Sequence, residues 1–491
     1  MTARQRPSDH PLPRPPAVRW LALVALVYAV VQLALVVPHT SGGLLWDESV
    51  YASQVDPHRP AAFFSAPRSR GISVLVAPVV AVTDSVAVLR VVLALLSAAA
   101  LYAAFRVWGR ILGDGVAAFA ALLFGGLWIT QISGSQVMPN LWVALGAVAA
   151  TGWFLRCPGE VRARWWLTAV LAAVTLVRTP DGALLALPLL VAAVAVRSWR
   201  PALPAVLAGP LLGAAQWVAE AQLRFGGVRE RLRISSATEG DMAPHMNIGT
   251  VLRSLDGPLL CRPCEAPGPH PLMTLWWWAL PVLTAAALVA ARRERRLRTA
   301  LLPVVCAGCL SFSYLFLIGY SAPRFLLPAY ALLALPIAWL TARAFMGRVP
   351  ATGWGRMPAA GWLRVPAVGL LVALQLGSQQ TVLRHAASTT ATTAGVYQRA
   401  ARDLYELGVR PPCLVTGPRA LPIGYAAGCA SAQVRGNNRS TTEVELRRRS
   451  GVQPTASLVS AGSTARPGYA RGWMRYVMRR TGWTVFVAPL R

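Results

Sequence analysis

Lysine is absent from the 491 residues, and acids are scarce: 19 Asp and Glu stand against 48 basic residues, every one of them arginine. Only 14% of the chain is charged while 55% is hydrophobic, with a mean hydropathy of +0.47. That leaves too little charge to coat a soluble chain of this length, which excludes a string of soluble domains. A net charge of +29 could serve nucleic acid. Here, however, the arginines cluster between long apolar runs, the pattern of a multi-pass membrane protein with basic inner loops, so no nucleic-acid partner is expected. Metal-ligand spacing is also missing. The seven cysteines include one pair at short spacing, Cys261-Arg262-Pro263-Cys264, without a second pair or neighbouring His. On an outer surface a local disulfide or free pair is favoured over zinc, and Cys413 and Cys429 would share that oxidising side. Cys157, Cys306 and Cys309 lie in or beside apolar runs and read as packing residues. Thr416-Gly417-Pro418-Arg419 has neither the glycines nor the Lys of a phosphate loop.

What is abundant is apolar sequence. A Pro-rich basic tail, residues 1–17, is expected to be disordered and cytoplasmic, since Arg4, Arg6, Arg14 and Arg19 precede the first apolar run, Trp20 to Val37. That run exceeds a signal-peptide core and lacks a small-residue cleavage site, so it reads as an uncleaved span. Further spans are predicted near 85–107, 115–131, 140–156, 165–177, 183–196, 202–219, 276–291, 299–318, 325–342 and 365–379, about eleven in all. The strongest inner marker is Arg292-Arg293-Glu294-Arg295-Arg296-Leu297-Arg298. Residues 39–84 and 220–271 become outer loops. Within the first, Ile72 to Val82 is too short to span and is expected to lie along the interface or to re-enter.

From residue 385 the pattern changes. Short strands are predicted near 412–417, 431–434, 455–459 and 483–488, with helices near 396–407, 420–427, 441–450 and 468–480. The expected fold is therefore mainly α: a multi-pass helix bundle over 18–384, followed by a small extracytoplasmic α/β domain over 385–491.

The residues that call for a chemical explanation are Asp47 and Glu48, flanked by Trp46 and Tyr51 just beyond the first span. Carboxylates beside a membrane surface are repelled by anionic headgroups and cost energy to bury. Solvated acids in a loop and a catalytic base outside the membrane are the two readings. Further short motifs follow in order: Val88-Leu89-Arg90, Ser135-Gln136-Val137-Met138-Pro139-Asn140, Arg178-Thr179-Pro180-Asp181-Gly182 and Ala322-Pro323-Arg324-Phe325-Leu326-Leu327-Pro328. Together, over residues 18 to 345, they resemble the GT-C superfamily of polytopic glycosyltransferases, in its protein mannosyltransferase and aminoarabinose transferase branch.

The resemblance implies a GT-C-like enzyme in the inner or plasma membrane, serving the cell envelope. It would move a sugar from a polyprenyl-phosphate donor to a hydroxyl of a glycan, lipid or protein acceptor, with inversion at the anomeric carbon. Asp47 then takes the acceptor's proton, with Glu48 as helper or loop organiser. An arginine fork suits the phosphate that leaves, with Arg324 first and Arg178, Arg68 and Arg70 next. Gln136 and Asn140 fall in the second outer turn. Asn140 stands where that branch often carries an acid toward a divalent cation; an amide adds no charge, which weakens a tight metal site and leaves metal dependence open. No other cofactor is implied. Two other readings remain open. A transporter is disfavoured because the clear spans lack acids, whereas coupling needs ionisable groups there. A non-catalytic envelope protein would use its basic C-terminal domain to bind a partner.

Overall fold

A computed structural model describes residues 19–262, 264–265, 267–345, 361–436, 438–459 and 462–489. The expected disordered tail, 1–17, lies outside them. By length and apolar composition, six described helices can cross a membrane: Trp20–Thr40, Val86–Leu112, Arg197–Phe225, Pro271–Arg293, Leu297–Phe316 and Pro323–Ala344. A seventh candidate is broken. Asp114–Gly125 and Trp128–Gly134, expected as one span, meet at 83° around Gly126 and Leu127. The described helices thus amount to six or seven spans by this criterion, against the expected eleven or so. The shortfall has a physical source. Asn140–Arg156, Val161–Val177 and Thr179–Ala195 have 17 residues each, about 25 Å of helix against a hydrocarbon core of about 30 Å.

Helix lengths change two other expectations. The helix Leu203–Phe225 continues past Ala219, so Glu220 is a buried helical residue rather than the start of the outer loop. The predicted boundary at 384/385 is crossed by one helix, Gly361–Glu406, which also absorbs the segment expected as a separate helix at 396–407. Alanine, Gln, Leu and Arg favour helix through residues 375–395, and no Pro or Gly cluster is there to stop it.

Close approach of the helices depends on small residues. A Cβ on Gly213 would lie 2.2 Å from the Ala172 carbonyl oxygen. Glycine here lets Leu203–Phe225 pack against the backbone of Val161–Val177, the small-residue device of membrane bundles. The main core runs through these helices, with Trp108, Phe105, Phe124 and Phe154 fully buried.

The C-terminal part forms a five-stranded sheet. Strands β1 (Leu414–Thr416), β2 (Ala430–Ala432), β3 (Thr455–Leu458), β4 (Met474–Val477) and β5 (Thr484–Val487) lie in the order β2-β1-β3-β5-β4. β1 pairs in parallel with β2 and β3, while β5 runs antiparallel between β3 and β4. The helix expected at 468–480 is a short turn, Gly468–Ala470, followed by β4. Gly472 at φ +83° breaks any helix there. Cys413 and Cys429 are joined, as are Cys261 and Cys264, while Cys157, Cys306 and Cys309 are free. The helix Ala420–Ala427 rests on the helix Trp46–Ser53, with Leu421 in one cluster with Val50 and Tyr51. The Tyr425 hydroxyl donates to Asp56 Oδ2 at 2.9 Å.

Candidate active site

The Asp47-Glu48 pair opens the helix Trp46–Ser53, and the two acids face different surroundings. Glu48 is 1% exposed. Its Oε2 accepts from the Leu45 backbone N–H at 3.0 Å, the carboxylate half of a capping box, because Leu45 offers no side-chain acceptor in return. Arg90, fully buried, holds both oxygens of Glu48 in a bidentate fork, with Nη2 to Oε2 at 2.8 Å. The Val137 N–H adds a contact to Oε1 at 2.9 Å. Arg90 also donates to the carbonyls of Ser135 at 2.9 Å and Gly43 at 3.2 Å. One buried ion pair therefore ties the segment after the helix Trp20–Thr40 to the helix Val86–Leu112 and to the turn at 135–139. Each Glu48 oxygen has two donors, which offsets the cost of burying the pair, while Arg90 Nε is left without a partner among the described residues.

Asp47 is partly open, with about a third of its side chain accessible (32%). Its Oδ1 accepts from Arg68 Nη2 at 2.8 Å and its Oδ2 from Arg324 Nη2 at 3.1 Å. Burial pushes the Asp47 carboxyl up. The Arg68 and Arg324 charges, the Arg68 hydrogen bond and the Arg178 charge together outweigh burial and hold the group below its ordinary value. The arginines are themselves placed. Arg68 bonds Ser65 Oγ at 3.0 Å and lies over the Tyr51 ring; Arg324 donates to the Leu259 carbonyl at 3.1 Å.

Two cavities meet at Asp47. The larger, about 810 Å³, is walled by Trp46, Gln136, Leu260 and Cys261, and by His385, Thr389, Thr393 and Tyr397 of the long helix. The smaller, about 280 Å³, brings together Arg68, Arg178, Arg262 and Arg324 with Tyr51, Tyr320 and Glu239. Trp46, Asp47, Met138, Leu260 and Arg324 border both. Tyr320 donates to Glu239 beneath the Arg262 guanidinium. Burial and then the Glu239 charge push the Tyr320 hydroxyl up. Four guanidiniums against two carboxylates, Asp47 and Glu239, leave this small cavity with an excess of positive charge that suits an anion, and a carboxylate at its rim can reach groups entering from either side.

Of the residues singled out in the sequence, Asp47, Arg68, Arg178 and Arg324 converge. Arg178 also pairs with Asp181, Nε to Oδ2 at 3.1 Å, and Tyr314 donates to the same carboxylate at 3.0 Å. Arg70 turns away: it engages Glu220 at 2.6 Å and Gln54 at 2.8 Å and borders neither cavity. The fully buried Arg231 binds Glu220 from the other side at 3.1 Å and holds the Arg68 carbonyl at 2.9 Å, so this group supports Arg68 rather than the cavity. Arg90, Arg262 and Glu239 were not assigned a role from sequence. Arg90 carried a signal, since an arginine inside an apolar run demands a buried partner. Arg262 was hidden inside the Cys261–Cys264 spacing.

A divalent cation does not fit this arrangement. Both Asp47 oxygens face guanidiniums, Glu48 is saturated by Arg90, and four positive charges surround the small cavity. Asn140 is 1% exposed, and neither its Oδ1 nor its Nδ2 has a partner among the described residues. Among those residues no three His, Cys, Asp or Glu side chains gather.

No family model and no curated protein sequence matches the chain. Solved structures do. The chain is similar to ArnT, the aminoarabinose transferase of Cupriavidus metallidurans, bound to undecaprenyl phosphate. The TM-score is 0.66 and the identity 15%, with 96% of this chain and 98% of that one covered. The apo form of the same protein gives 0.64 at 15% identity, covering 96% and 97%. The oligosaccharyltransferase AglB from Archaeoglobus fulgidus, in complex with an inhibitory peptide and a dolichol-phosphate, gives 0.53 at 14% identity, covering 96% of this chain and 74% of that one. Both neighbours are GT-C proteins, and the likeness runs through the C-terminal sheet as well as the helices; the chain therefore has the GT-C fold over nearly its whole length.

Proposed function

We propose that this chain is a membrane glycosyltransferase that moves a sugar from a polyprenyl-phosphate carrier to an acceptor hydroxyl at the outer membrane face. The observation that carries this reading is the place of Asp47: a carboxylate between two arginines, at the junction of a small cation-rich cavity and a larger one. The structural neighbours bound to undecaprenyl phosphate and dolichol-phosphate support a carrier of that class. In this reading the three 17-residue helices and the first part of Gly361–Glu406 also cross the bilayer. The N-terminus is then inside and the sheet domain outside.

The chemistry follows from charge. The bond between the anomeric carbon and the carrier phosphate breaks as the acceptor oxygen bonds to that carbon from the opposite face, which inverts it. The phosphate goes from one negative charge to two, and Arg68, Arg178, Arg262 and Arg324 sit where that charge develops. The acceptor's proton passes to Asp47. With both oxygens held by arginine, Asp47 is a weak base in the free protein. A phosphate arriving in the small cavity competes for Arg68 and Arg324 and returns basicity to the carboxylate when substrate is present. Glu48 organises the loop and takes no proton, since its oxygens are spent on Arg90 and two backbone N–H groups. No step here uses a metal.

The test is transfer from labelled polyprenyl-phosphate sugars in membranes, comparing the natural protein with Asp47→Asn. The variant is expected to retain carrier binding and lose turnover by about 100-fold to 10,000-fold, the range of general-base contributions. Equal turnover by both would remove Asp47 from the chemistry; carrier transport without transfer would replace the enzyme by a transporter.

A further inference from the structure

A third cavity lies away from Asp47, open on the flank of the bundle. It has a volume of about 770 Å³ and runs between the helices Gly71–Val80, Val86–Leu112, Asn140–Arg156 and Val161–Val177. Small residues, among them Ala100, Ala103, Ala149 and Ala173, line it between larger ones such as Leu75, Leu145 and Val170, and leave a trough where larger side chains would have filled the gap between helices. Its rims are apolar and exposed, with Val74 57% and Trp166 55% accessible. A surface like this between membrane helices faces acyl chains.

One end of the trough differs in charge. Arg106, Arg110 and Arg156 line it together with Tyr102, Trp153 and Trp166, and no carboxylate lines it. Arg110 and Arg156 share a single acid outside the trough, Glu160, at 3.3 and 2.5 Å. Arg106 is exposed, lies over the Tyr102 ring, and has no carboxylate partner among the described residues. The Arg156 guanidinium sits 4.2 Å from the Trp153 ring centre, and Trp153 stacks on Trp166. Arg106 and Arg110 follow Arg90 on the same helix by 16 and 20 residues, which places them about 24 to 30 Å from the Asp47 end. The charged end is thus at the other membrane face, where Trp and Tyr rings meet the headgroup level.

We infer that this trough is a binding site for a phospholipid with an anionic headgroup, its acyl chains laid along the apolar, alanine-bearing wall and its phosphate held by Arg106, Arg110 and Arg156. Charge complementarity selects the occupant. A zwitterionic lipid would bring a quaternary amine to an end lined by three guanidiniums, whereas an anionic lipid satisfies Arg106, the cation left without an acid. The site is separate from the sugar-transfer site and does not depend on the function assigned there. A lipid wedged between these four helices joins Gly71–Val80, which follows Arg68 and Arg70 directly in the chain, to the bundle.

The experiment uses the full chain purified in detergent and titrated with phosphatidylglycerol or phosphatidylcholine, reading bound lipid by native mass spectrometry. Phosphatidylglycerol is expected to bind tighter. An arginine near a membrane surface contributes about fivefold, so Arg106→Gln with Arg110→Gln should weaken phosphatidylglycerol about 30-fold and leave phosphatidylcholine unchanged. Ala103→Trp fills the trough without touching charge and should displace phosphatidylglycerol; Asp47→Asn should bind it as the natural protein does. Equal affinity for the two lipids, an unaltered preference in the double arginine variant, or retention of lipid by Ala103→Trp would each overturn the assignment. So would occupancy by a polyprenyl phosphate that phosphatidylglycerol cannot displace.

Discussion

Replacing Glu48 by alanine leaves Arg90 as a fully buried cation in the bundle with no counter-ion. Breaking a buried pair from one side costs about 3 to 5 kcal/mol. The Leu45 and Val137 N–H groups lose their acceptor as well, at about 1 kcal/mol or more each where no water replaces it. A loss of about 5 to 7 kcal/mol is a large share of the margin of most folded proteins. Glu48→Gln keeps the shape and some of the hydrogen bonds and should lose less. Glu48→Leu with Arg90→Met removes both charges and should recover a good part of the loss, giving a coupling of about 2 kcal/mol or more in the double-mutant cycle. Unfolding by SDS in mixed micelles, followed by the fluorescence of the 18 tryptophans, reads these differences. A Glu48→Ala protein as stable as the natural one, with its defect confined to the turnover step, would refute the structural role and return Glu48 to the chemistry.

Acid should act late on this site. Because the folded Asp47 is held below its ordinary value, its ion pairs contribute stability above the unfolded pKa of about 3.9 and lose it only as pH falls through the lower folded value. The acid limb of kcat/KM should therefore lie below about pH 4, and Asp47→Asn should abolish the corresponding slope in a series of melting curves. Arg324→Ala is expected to weaken carrier binding by about 1.5 to 3 kcal/mol, the value of a charged hydrogen bond, and to raise the Asp47 pKa; carrier titration and the shifted acid limb check both. Tyr425→Phe removes the donor to Asp56 that joins the sheet domain to the segment after the helix Trp46–Ser53. It should cost about 1 kcal/mol and speed proteolysis between the domains, without changing carrier affinity.

The bundle is legible in the sequence because its physics is one-dimensional: arginine gathers at the ends of apolar runs, with Arg90 the exception inside one, and acids are scarce within them. The sheet is largely legible too, since β1 and β5 are short β-prone runs bounded by Gly and Pro, and β3 is set off by Pro454. What misleads is local. The residues 468–480 look helical by composition, but β4 forms because an antiparallel edge on β5 is open to it. Span counting falters at helices of 17 residues, where length alone does not separate a tilted crossing from a partly sunken one.

By itself the sequence determined that the chain lives in a membrane, that Asp47 and Glu48 form an exceptional acidic pair, and that Arg178 and Arg324 lie in motifs worth following. Only the tertiary structure divided the pair. Glu48 met Arg90, 42 residues away, and became an anchor; Asp47 met Arg68 and Arg324, 21 and 277 residues away, and stayed open to two cavities. The same packing sent Arg70 to Glu220 and brought in Arg262, which no local pattern marked. A charge's role depends on which counter-charge reaches it, and in a helix bundle that is decided by contacts between segments far apart in the chain.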